Sequence, residues 1–110
     1  MNISWSDFEK IQMHVGTILE VKDFPKAKKP AYQLKICFGD LGIKNSSAQI
    51  TEFYTKEDLV GKQIIGVLNF PPKQIANFIS ECLVLGVYHQ NDGVVLLTPD
   101  KKTNNGDLVG

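Results

Sequence analysis

The sequence predicts an all-β protein with short helices, folded as a closed or nearly closed small barrel. Roughly five or six short apolar segments are separated by turn residues about every ten positions, which is typical of small barrels. No helical pattern of about 10–15 residues links these segments, so a parallel sheet with crossover helices is not favoured. The chain has 110 residues, of which 43% are hydrophobic and 22% charged, and residues 1–110 are predicted to form one domain.

Two short helices are predicted from their capping boxes. In the first helix, residues 4–11, the box is formed by Ser6 and Glu9. In the second, residues 55–60, it is formed by Thr55 and the acid three positions later. A helix as short as the first is unstable alone and must pack on something. We therefore expect it to cover the barrel end or a partner subunit.

Alternation with a period of two identifies the first strands. Residues 13–22 alternate around Gly16, where we expect a bulge or bend, and this pattern puts Leu19 on the apolar face. Residues 32–38 show the clearest alternation, with the even-numbered side chains on one face. Residues 43–50 are a candidate for a more polar strand.

Two nearly continuous apolar runs, residues 64–68 and 82–87, are predicted to be central strands. Between them Pro71 and Pro72 must end the first run, because proline fixes φ and lacks a backbone donor. We expect the link to be a shaped loop whose polar groups suit phosphate, sugar or peptide backbone. Farther on, residues 91–93 carry an Asn-Asp-Gly hairpin signal.

The link also carries apolar side chains: Phe70, Ile75, Phe78 and Ile79 lie within it or beside it. Core packing is one interpretation of these residues. The alternative is an exposed groove wall, which would suit a partner subunit, an extended peptide or stacked bases.

The charges balance, with 12 basic and 12 acidic residues, and every basic residue is lysine. The absence of arginine counts against strong nucleic-acid binding, because arginine supplies the planar fork used for phosphate and guanine. Lysine clusters occur at Lys26, Lys28 and Lys29, which form a candidate basic patch, and at residues 101–102. Each cluster is either a solvated loop or part of a binding surface.

No catalytic or metal-binding pattern is found in the sequence. His14 and His89 lack ligand spacing, and Cys37 and Cys82 form no Cys-x-x-Cys motif. We expect both cysteines to be reduced core residues, with a disulfide or a metal pair as the alternative. Catalysis by Cys82 is the least favoured hypothesis, so the chain is predicted to be a binding module without enzymatic activity, cofactor or metal.

No apolar stretch approaches the ~20 residues that span a bilayer, and no signal peptide is visible at the N-terminus. We therefore expect a cytoplasmic protein that does not insert into membranes.

Several short motifs occur in one order along the chain. They are Phe8-Glu9-Lys10, Val15-Gly16-Thr17-Ile18, Phe24-Pro25-x-Ala27 with Pro30-Ala31, Ser46 to Thr51, Asn69-Phe70-Pro71-Pro72-Lys73, and Ser80-Glu81 with Leu83-Val84-Leu85-Gly86. Through these motifs, over nearly its whole length, the chain resembles the CsaA proteins, which are stand-alone members of the tRNA-binding domain family.

The resemblance implies an OB-fold, a five-stranded Greek-key barrel, assembled as a homodimer. CsaA-like members are described as chaperones for protein export that bind unfolded or precursor polypeptides and the secretion motor SecA. The wider family binds the outer corner of tRNA. Two hypotheses therefore follow, a polypeptide-binding chaperone and, as the alternative, a tRNA-binding protein.

The family's tRNA motif carries over onto Asn69, Pro72, Lys73 and Ser80, while Asn77 stands where glycine is usual. In the polypeptide hypothesis, apolar loop residues bury partner side chains, while the partner backbone is hydrogen-bonded by Asn69, Gln49 and Ser47. In the tRNA hypothesis, Lys73 and the basic patch contact phosphate, while Asn69 and Ser80 contact sugar or base edges. The complete set of candidate ligand-binding residues is Ser47, Gln49, Asn69, Phe70, Pro72, Lys73, Phe78 and Ser80, with Lys26, Lys28 and Lys29 as the basic patch.

Overall fold

The computed structural model describes residues 1–110, apart from the side chain of Asp92. The strands are β1 (Met13–Asp23), β2 (Tyr32–Cys37), β3 (Ile43–Ala48), β4 (Gln63–Val67), β5 (Lys73–Ile75), β6 (Phe78–Ser80), β7 (Leu83–Val84), β8 (Gly86–Tyr88) and β9 (Val94–Leu96). The helices are α1 (Trp5–Glu9) and α2 (Lys56–Leu59), and 3-10 turns lie at Gly39–Leu41 and Gln90–Asp92.

The main sheet has five strands in the order β3-β2-β1-β4-β7, all antiparallel to their neighbours. Strands β5 and β6 form one separate hairpin, and β8 and β9 form another. The two edges of the sheet approach each other at Asn45 and Glu81, where the Glu81 N–H donates to the Asn45 carbonyl over 2.8 Å. The Glu81 carboxylate accepts from the Asn45 N–H over 2.9 Å. The predicted all-β fold with short helices is confirmed as a nearly closed, OB-like five-stranded barrel.

The centre of the barrel is filled from β2 and the residue after it. Leu34, Ile36 and Phe38 are fully buried, as the alternation predicted. The Phe38 ring lies against two glycines on neighbouring strands. A Cβ atom at Gly16 would lie 2.6 Å from Phe38 Cε1, and one at Gly66 would lie 2.8 Å from Phe38 Cζ. Both glycines therefore make room for the ring.

The bulge of β1 is not at Gly16, where the sequence placed it. The register of β1 against β2 shifts between Ile18 and Glu20, so Leu19 is the extra residue. An extra residue reverses the alternation of side chains beyond it. Leu19 is exposed, whereas Ile18, before the bulge, is buried, so the predicted inward position of Leu19 was wrong.

Both helices begin at a capping box, but α1 begins earlier than predicted. Its cap is Ser4, whose hydroxyl accepts from the Asp7 N–H over 3.1 Å, and not Ser6. Helix α2 begins at Thr55 as predicted, with the same reciprocal bonds to Asp58. Helix α1 has no fully buried residue, and its expected role in covering the barrel end or a partner subunit stays a prediction.

The two apolar runs have different positions. Strand β4, from the first run, is central as predicted, between β1 and β7. The second run was wrongly predicted to be central: it divides into β7 at the sheet edge and β8 in a separate hairpin. Val84 and Val94 pack against the core, while the neighbouring positions face outward, and Leu83 is 48% and Val87 53% exposed.

These outward positions form what we call the outer apolar face. Val87 pairs with Val95 across the β8–β9 hairpin, and the Leu97 N–H donates to the Leu85 carbonyl over 3.2 Å. Strand periodicity puts Leu83, Leu85 and Val87 on one side, with Val95 and Leu97 beside them. The hairpin is thus apolar on both faces, which explains why the sequence suggested a buried strand.

The link after β4 is exposed from Asn69 to Gln74 and then forms the β5–β6 hairpin. The positive φ in its turn is at Ala76, at 53°, one residue before Asn77, which stands where glycine is usual in the family. The Asn-Asp-Gly signal is confirmed by the β8–β9 hairpin, in which Asn91 has a φ of 61°. Among the described residues, no helix combines the length and the apolar character that crossing a bilayer requires.

Candidate nucleic-acid interface

A groove of about 570 Å³ lies between the loop that follows β1 and the β5–β6 hairpin. We call it the basic groove. Its polar lining is Lys26, Lys28, Lys29, Ser47, Gln49 and Lys73, with Gln74, Ile75 and Ala76 along the hairpin side. The basic patch is therefore brought opposite Lys73, although more than 40 positions separate them along the chain.

The basic groove is positively charged although the protein as a whole is neutral. No carboxylate lines it. Among the described side chains, the salt bridges are made by other lysines, at Lys10, Lys22, Lys35 and Lys56. The lysines of the groove are exposed and unpaired within the same set of residues. A concave surface with charge of one sign attracts anions more strongly than scattered charges would.

The two walls of the basic groove are joined by an aromatic pair. The rings of Phe24, in the lysine loop, and Phe78, in β6, lie 5.5 Å apart at an interplanar angle of 58°. Phe24 is buried and Phe78 half-buried. A tilted pair at this distance is a favourable aromatic contact, so Phe78 holds the hairpin against the loop that carries the basic patch.

The floor of the groove is attached to the hairpin through serines. The Ser47 N–H donates to Ser80 Oγ over 3.1 Å, and that hydroxyl can donate to the Cys82 carbonyl over 3.4 Å. The buried Ser46 hydroxyl donates to the same carbonyl over 2.9 Å. Ser80 thus couples β6 to β3 and fixes Ser47 at the edge of the groove.

Asn69 is engaged by the N-terminal segment. Its side-chain oxygen accepts from the Gln12 N–H over 3.0 Å, and its side-chain nitrogen donates to the Lys10 carbonyl over 2.6 Å. Both ends of the amide are therefore used to hold residues 10–12. Phe70 is 56% exposed and Pro72 is exposed beside it.

The structure separates the predicted site residues into two groups. The first group lines the basic groove and consists of Lys26, Lys28, Lys29, Ser47, Gln49 and Lys73. The second group is not part of its lining and consists of Asn69, Phe70, Pro72, Phe78 and Ser80. Sequence reasoning missed Gln74 and Ala76 as lining residues. It also missed the outer apolar face, whose only signal was the lack of polar residues in the runs that form β7 to β9.

The remaining titratable residues show no catalytic arrangement in the described part of the chain. His14 Nδ1 lies 2.9 Å from the Gly106 carbonyl, and His89 packs beside Phe53. Burial raises the pKa of the Cys82 thiol to about 11, which leaves little thiolate for nucleophilic attack at neutral pH. Both cysteines are free, as predicted, but only Cys82 is buried, since Cys37 is half-buried. The described side chains contain no cluster of three or more metal-binding groups.

Comparison with known sequences identifies relatives among much longer proteins. Residues 13–108 match the family described as "Putative tRNA binding domain". The chain is 37% identical over 109 residues to a methionine–tRNA ligase of Nanoarchaeum equitans, covering 97% of this chain and 13% of the ligase. A methionine–tRNA ligase of Methanocaldococcus jannaschii is 36% identical over 107 residues, with 97% and 16% covered. The chain therefore spans less than a fifth of these relatives.

Two solved structures resemble the chain over its full length. A CsaA chaperone protein from Picrophilus torridus has a TM-score of 0.92 and 60% sequence identity, covering 99% of this chain and 100% of that one. The chaperone CsaA of Bacillus anthracis has a TM-score of 0.95 and 44% identity, and both chains are covered completely. These matches confirm the resemblance predicted from the motifs. The family match over residues 13–108 shows that the chain belongs to this tRNA-binding domain family.

Proposed function

We propose that this protein binds tRNA by holding its phosphate backbone in the basic groove. One observation carries the proposal: Lys73 lies across the groove from Lys26, Lys28 and Lys29, with no carboxylate in the lining. Phosphate contacts supply most of the sequence-independent affinity of proteins for nucleic acids. The resemblance to family members favours the outer corner of tRNA as the docking region.

The polar groups of the floor complete this site. Ser47 and Gln49 lie between the two lysine walls, and their side chains can hydrogen-bond to ribose hydroxyls or phosphate oxygens. Because each lysine is a point charge without the fork of arginine, we expect the lysines of the basic groove to recognise backbone shape rather than base sequence. The proposed role is binding without catalysis. A cytoplasmic location is part of the same proposal, and free thiols are compatible with it.

We also propose that the protein acts as a homodimer through the outer apolar face. Leu83, Val87 and Val95 are each more than 40% exposed although all are aliphatic. A contiguous apolar face of this kind is typical of a surface that is covered by another chain. A second copy is the simplest occupant, because a twofold contact pairs such a face with itself. Two linked basic grooves would then bind one tRNA more tightly than a single groove.

A salt titration of tRNA binding tests the proposal for the basic groove. We expect Lys73→Gln to weaken tRNA binding several-fold. It should also reduce the slope of log affinity against log salt by about 0.7–0.9, the change expected for one lost phosphate contact. The matched control is Lys101→Gln, which removes the same charge from an exposed lysine outside the groove lining. An equal loss for both variants would mean that only net charge matters and would contradict the proposal.

A second candidate function is the binding of unfolded polypeptides. It is favoured by the exposed apolar residues of the link and hairpin, where Phe70 is 56% and Ile79 47% exposed. The solved structures from Picrophilus torridus and Bacillus anthracis are both named as chaperones. A role in protein export with precursor polypeptides and SecA belongs to this candidate and rests on the resemblance alone.

Suppression of aggregation tests the second candidate. Phe70→Ser should reduce the ability of the protein to keep an unfolded client in solution, because it removes a large exposed aromatic side chain from the link. Leu41→Ser is the control, since Leu41 is 43% exposed but lies in the 3-10 turn after β2. Equal suppression by wild-type protein and Phe70→Ser would reject the role of Phe70. Competition between tRNA and the client then shows whether the two ligands share a face.

A further inference from the structure

A second pocket opens beside the basic groove, at the tip of the β8–β9 hairpin. It has a volume of about 540 Å³, which is in the range of small-ligand sites. The residues that matter here are Lys29, Pro30, Gln49, Glu52, Tyr88 and Asn91. Lys29 and Gln49 also line the basic groove. A nucleic acid whose backbone follows the lysines would therefore pass the mouth of this second pocket, which we call the Tyr88 pocket.

Tyr88 presents an uncovered aromatic ring. The residue is 92% exposed, the highest value among the aromatic residues of the described chain. In the hairpin Tyr88 pairs with Val94, one position along from Val87 and Val95. Because side chains alternate along a strand, the Tyr88 ring lies on the opposite side from the outer apolar face. A dimer formed through that face would leave the ring available to a ligand.

The polar groups of the Tyr88 pocket match one base better than the others. Glu52 is exposed and has no salt bridge with another described side chain. An ionised carboxylate only accepts hydrogen bonds and has two oxygens with which to do so. Guanine alone among the four RNA bases has two adjacent donors, N1–H and N2–H, on its Watson–Crick edge. The side-chain amides of Gln49 and Asn91 can donate to its O6.

We propose that the Tyr88 pocket binds an unpaired guanine of the RNA held in the basic groove. The base stacks on Tyr88, Glu52 accepts hydrogen bonds from N1–H and N2–H, and Lys29 neutralises the adjoining phosphate. Stacking of bases on exposed aromatic residues is a general mode of single-strand recognition, and unpaired bases are the usual source of sequence preference in RNA binding. The inference rests on the proposed function for its ligand class, but it assigns a separate set of residues.

The test is an NMR titration of isotope-labelled protein with GMP, AMP, CMP and UMP at millimolar concentrations. We expect GMP to shift the backbone amide signals of Gln49, Tyr88 and Asn91 and to bind about tenfold more tightly than the other nucleotides. Equal binding of all four nucleotides, or shifts confined to other residues, would overturn the proposal. It would also be overturned if an apolar unfolded peptide shifted these signals while GMP did not, because the pocket would then serve polypeptide.

Variants separate stacking from hydrogen bonding. Tyr88→Ala should weaken GMP binding about tenfold or more, while Tyr88→Phe keeps the ring and should bind normally. Glu52→Gln should abolish the preference for GMP over AMP, because the amide replaces one acceptor by a donor. Unchanged binding by Tyr88→Ala, or an unchanged preference in Glu52→Gln, would contradict the assignment. Both residues are exposed, so their variants should fold.

This experiment is independent of the test for the basic groove. Lys73 does not line the Tyr88 pocket, so Lys73→Gln should bind GMP as the wild type does. Failure of tRNA binding together with selective GMP binding would reject the proposed function and leave the guanine site standing. Salt-sensitive tRNA binding through Lys73 without any GMP preference would reject the guanine site alone.

Discussion

The side-chain nitrogen of Asn69 donates a hydrogen bond to the Lys10 carbonyl over 2.6 Å, and its oxygen accepts from the Gln12 N–H over 3.0 Å. One residue of the tRNA motif thus fastens the N-terminal segment to the end of β4. The Leu68 N–H adds a bond to the Gln12 carbonyl over 2.9 Å. The motif position therefore has a structural role that the sequence did not reveal.

We predict that Asn69→Ala loosens the segment around residues 10–12 without unfolding the barrel. Loss of two exposed hydrogen bonds should cost about 1–2 kcal/mol locally. This would speed hydrogen exchange at the Gln12 amide by about tenfold, which NMR can measure. Asn77→Ala, in the exposed turn of the β5–β6 hairpin, is the control and should leave exchange at Gln12 unchanged. Equal exchange in both variants would show that other contacts hold the segment.

We predict that Gly16→Ala destabilises the barrel by about 1–3 kcal/mol, the usual cost of overpacking a core. The added Cβ would lie 2.6 Å from Phe38 Cε1 in the wild-type geometry, so the ring or the strand must move. Urea denaturation measures the free energy of unfolding. Gly110→Ala is the neutral control, because a Cβ added there would meet no other residue within 4 Å apart from its chain neighbour.

A double-mutant cycle identifies the ring as the cause. If Phe38 is the obstacle, Gly16→Ala should cost less in a Phe38→Leu background than in the wild type, because the smaller side chain leaves room for the methyl group. An additive double mutant would mean that the glycine is needed for some other reason.

We predict that Cys82 makes stability fall at alkaline pH. The folded protein keeps the thiol proton until about pH 11, because burial raises the pKa of Cys82, whereas the ordinary value is 9.0. Between these values the folded state holds more protons than the unfolded state, so the free energy of unfolding decreases as pH rises. The protonated Cys82 thiol contributes about 2–3 kcal/mol to the free energy of unfolding. This contribution is fully present below pH 9 and is lost as the pH rises through 11.

The comparison with Cys82→Ala measures this effect. The variant should be less stable at neutral pH because of the cavity, but its stability should fall less steeply between pH 9 and 11. Lysines and tyrosines titrate in the same range in both proteins, so the difference between the two curves isolates the thiol. Parallel curves would show that Cys82 ionises as readily in the folded protein as in the unfolded chain.

The sequence predicted well the features that depend on neighbours along the chain. The inward face of β2 follows from strict alternation, and α2 follows from the Thr55–Asp58 pair. The start of α1 was ambiguous, because Ser4 and Ser6 are each followed by an acid three positions later. Nothing in the local pattern decides between them, and the structure uses Ser4.

Features that depend on distant contacts were less accessible from the sequence. The position of the β1 bulge is set by pairing with β2, so Leu19 could not be assigned to a face from its own strand. The basic groove was predicted as separate parts. Its assembly requires the Phe24–Phe78 contact and the bond from Ser47 to Ser80. Such contacts join segments that are far apart in the chain and leave no periodic signal.

The last prediction concerns the outer apolar face. If this face joins two copies, Val87→Asp should yield a monomer, because twofold symmetry would bury the new carboxylate on both sides of the contact without a partner. The variant should keep its fold, since Val87 is 53% exposed and points away from the barrel core. Light scattering over a range of concentrations measures the mass of both proteins. The control is Leu41→Asp, on the 3-10 turn, which should stay dimeric. A wild-type protein that is monomeric at every concentration would refute the proposed dimer. Loss of the dimer should also lower tRNA affinity without changing GMP binding, because only tRNA is large enough to reach two grooves.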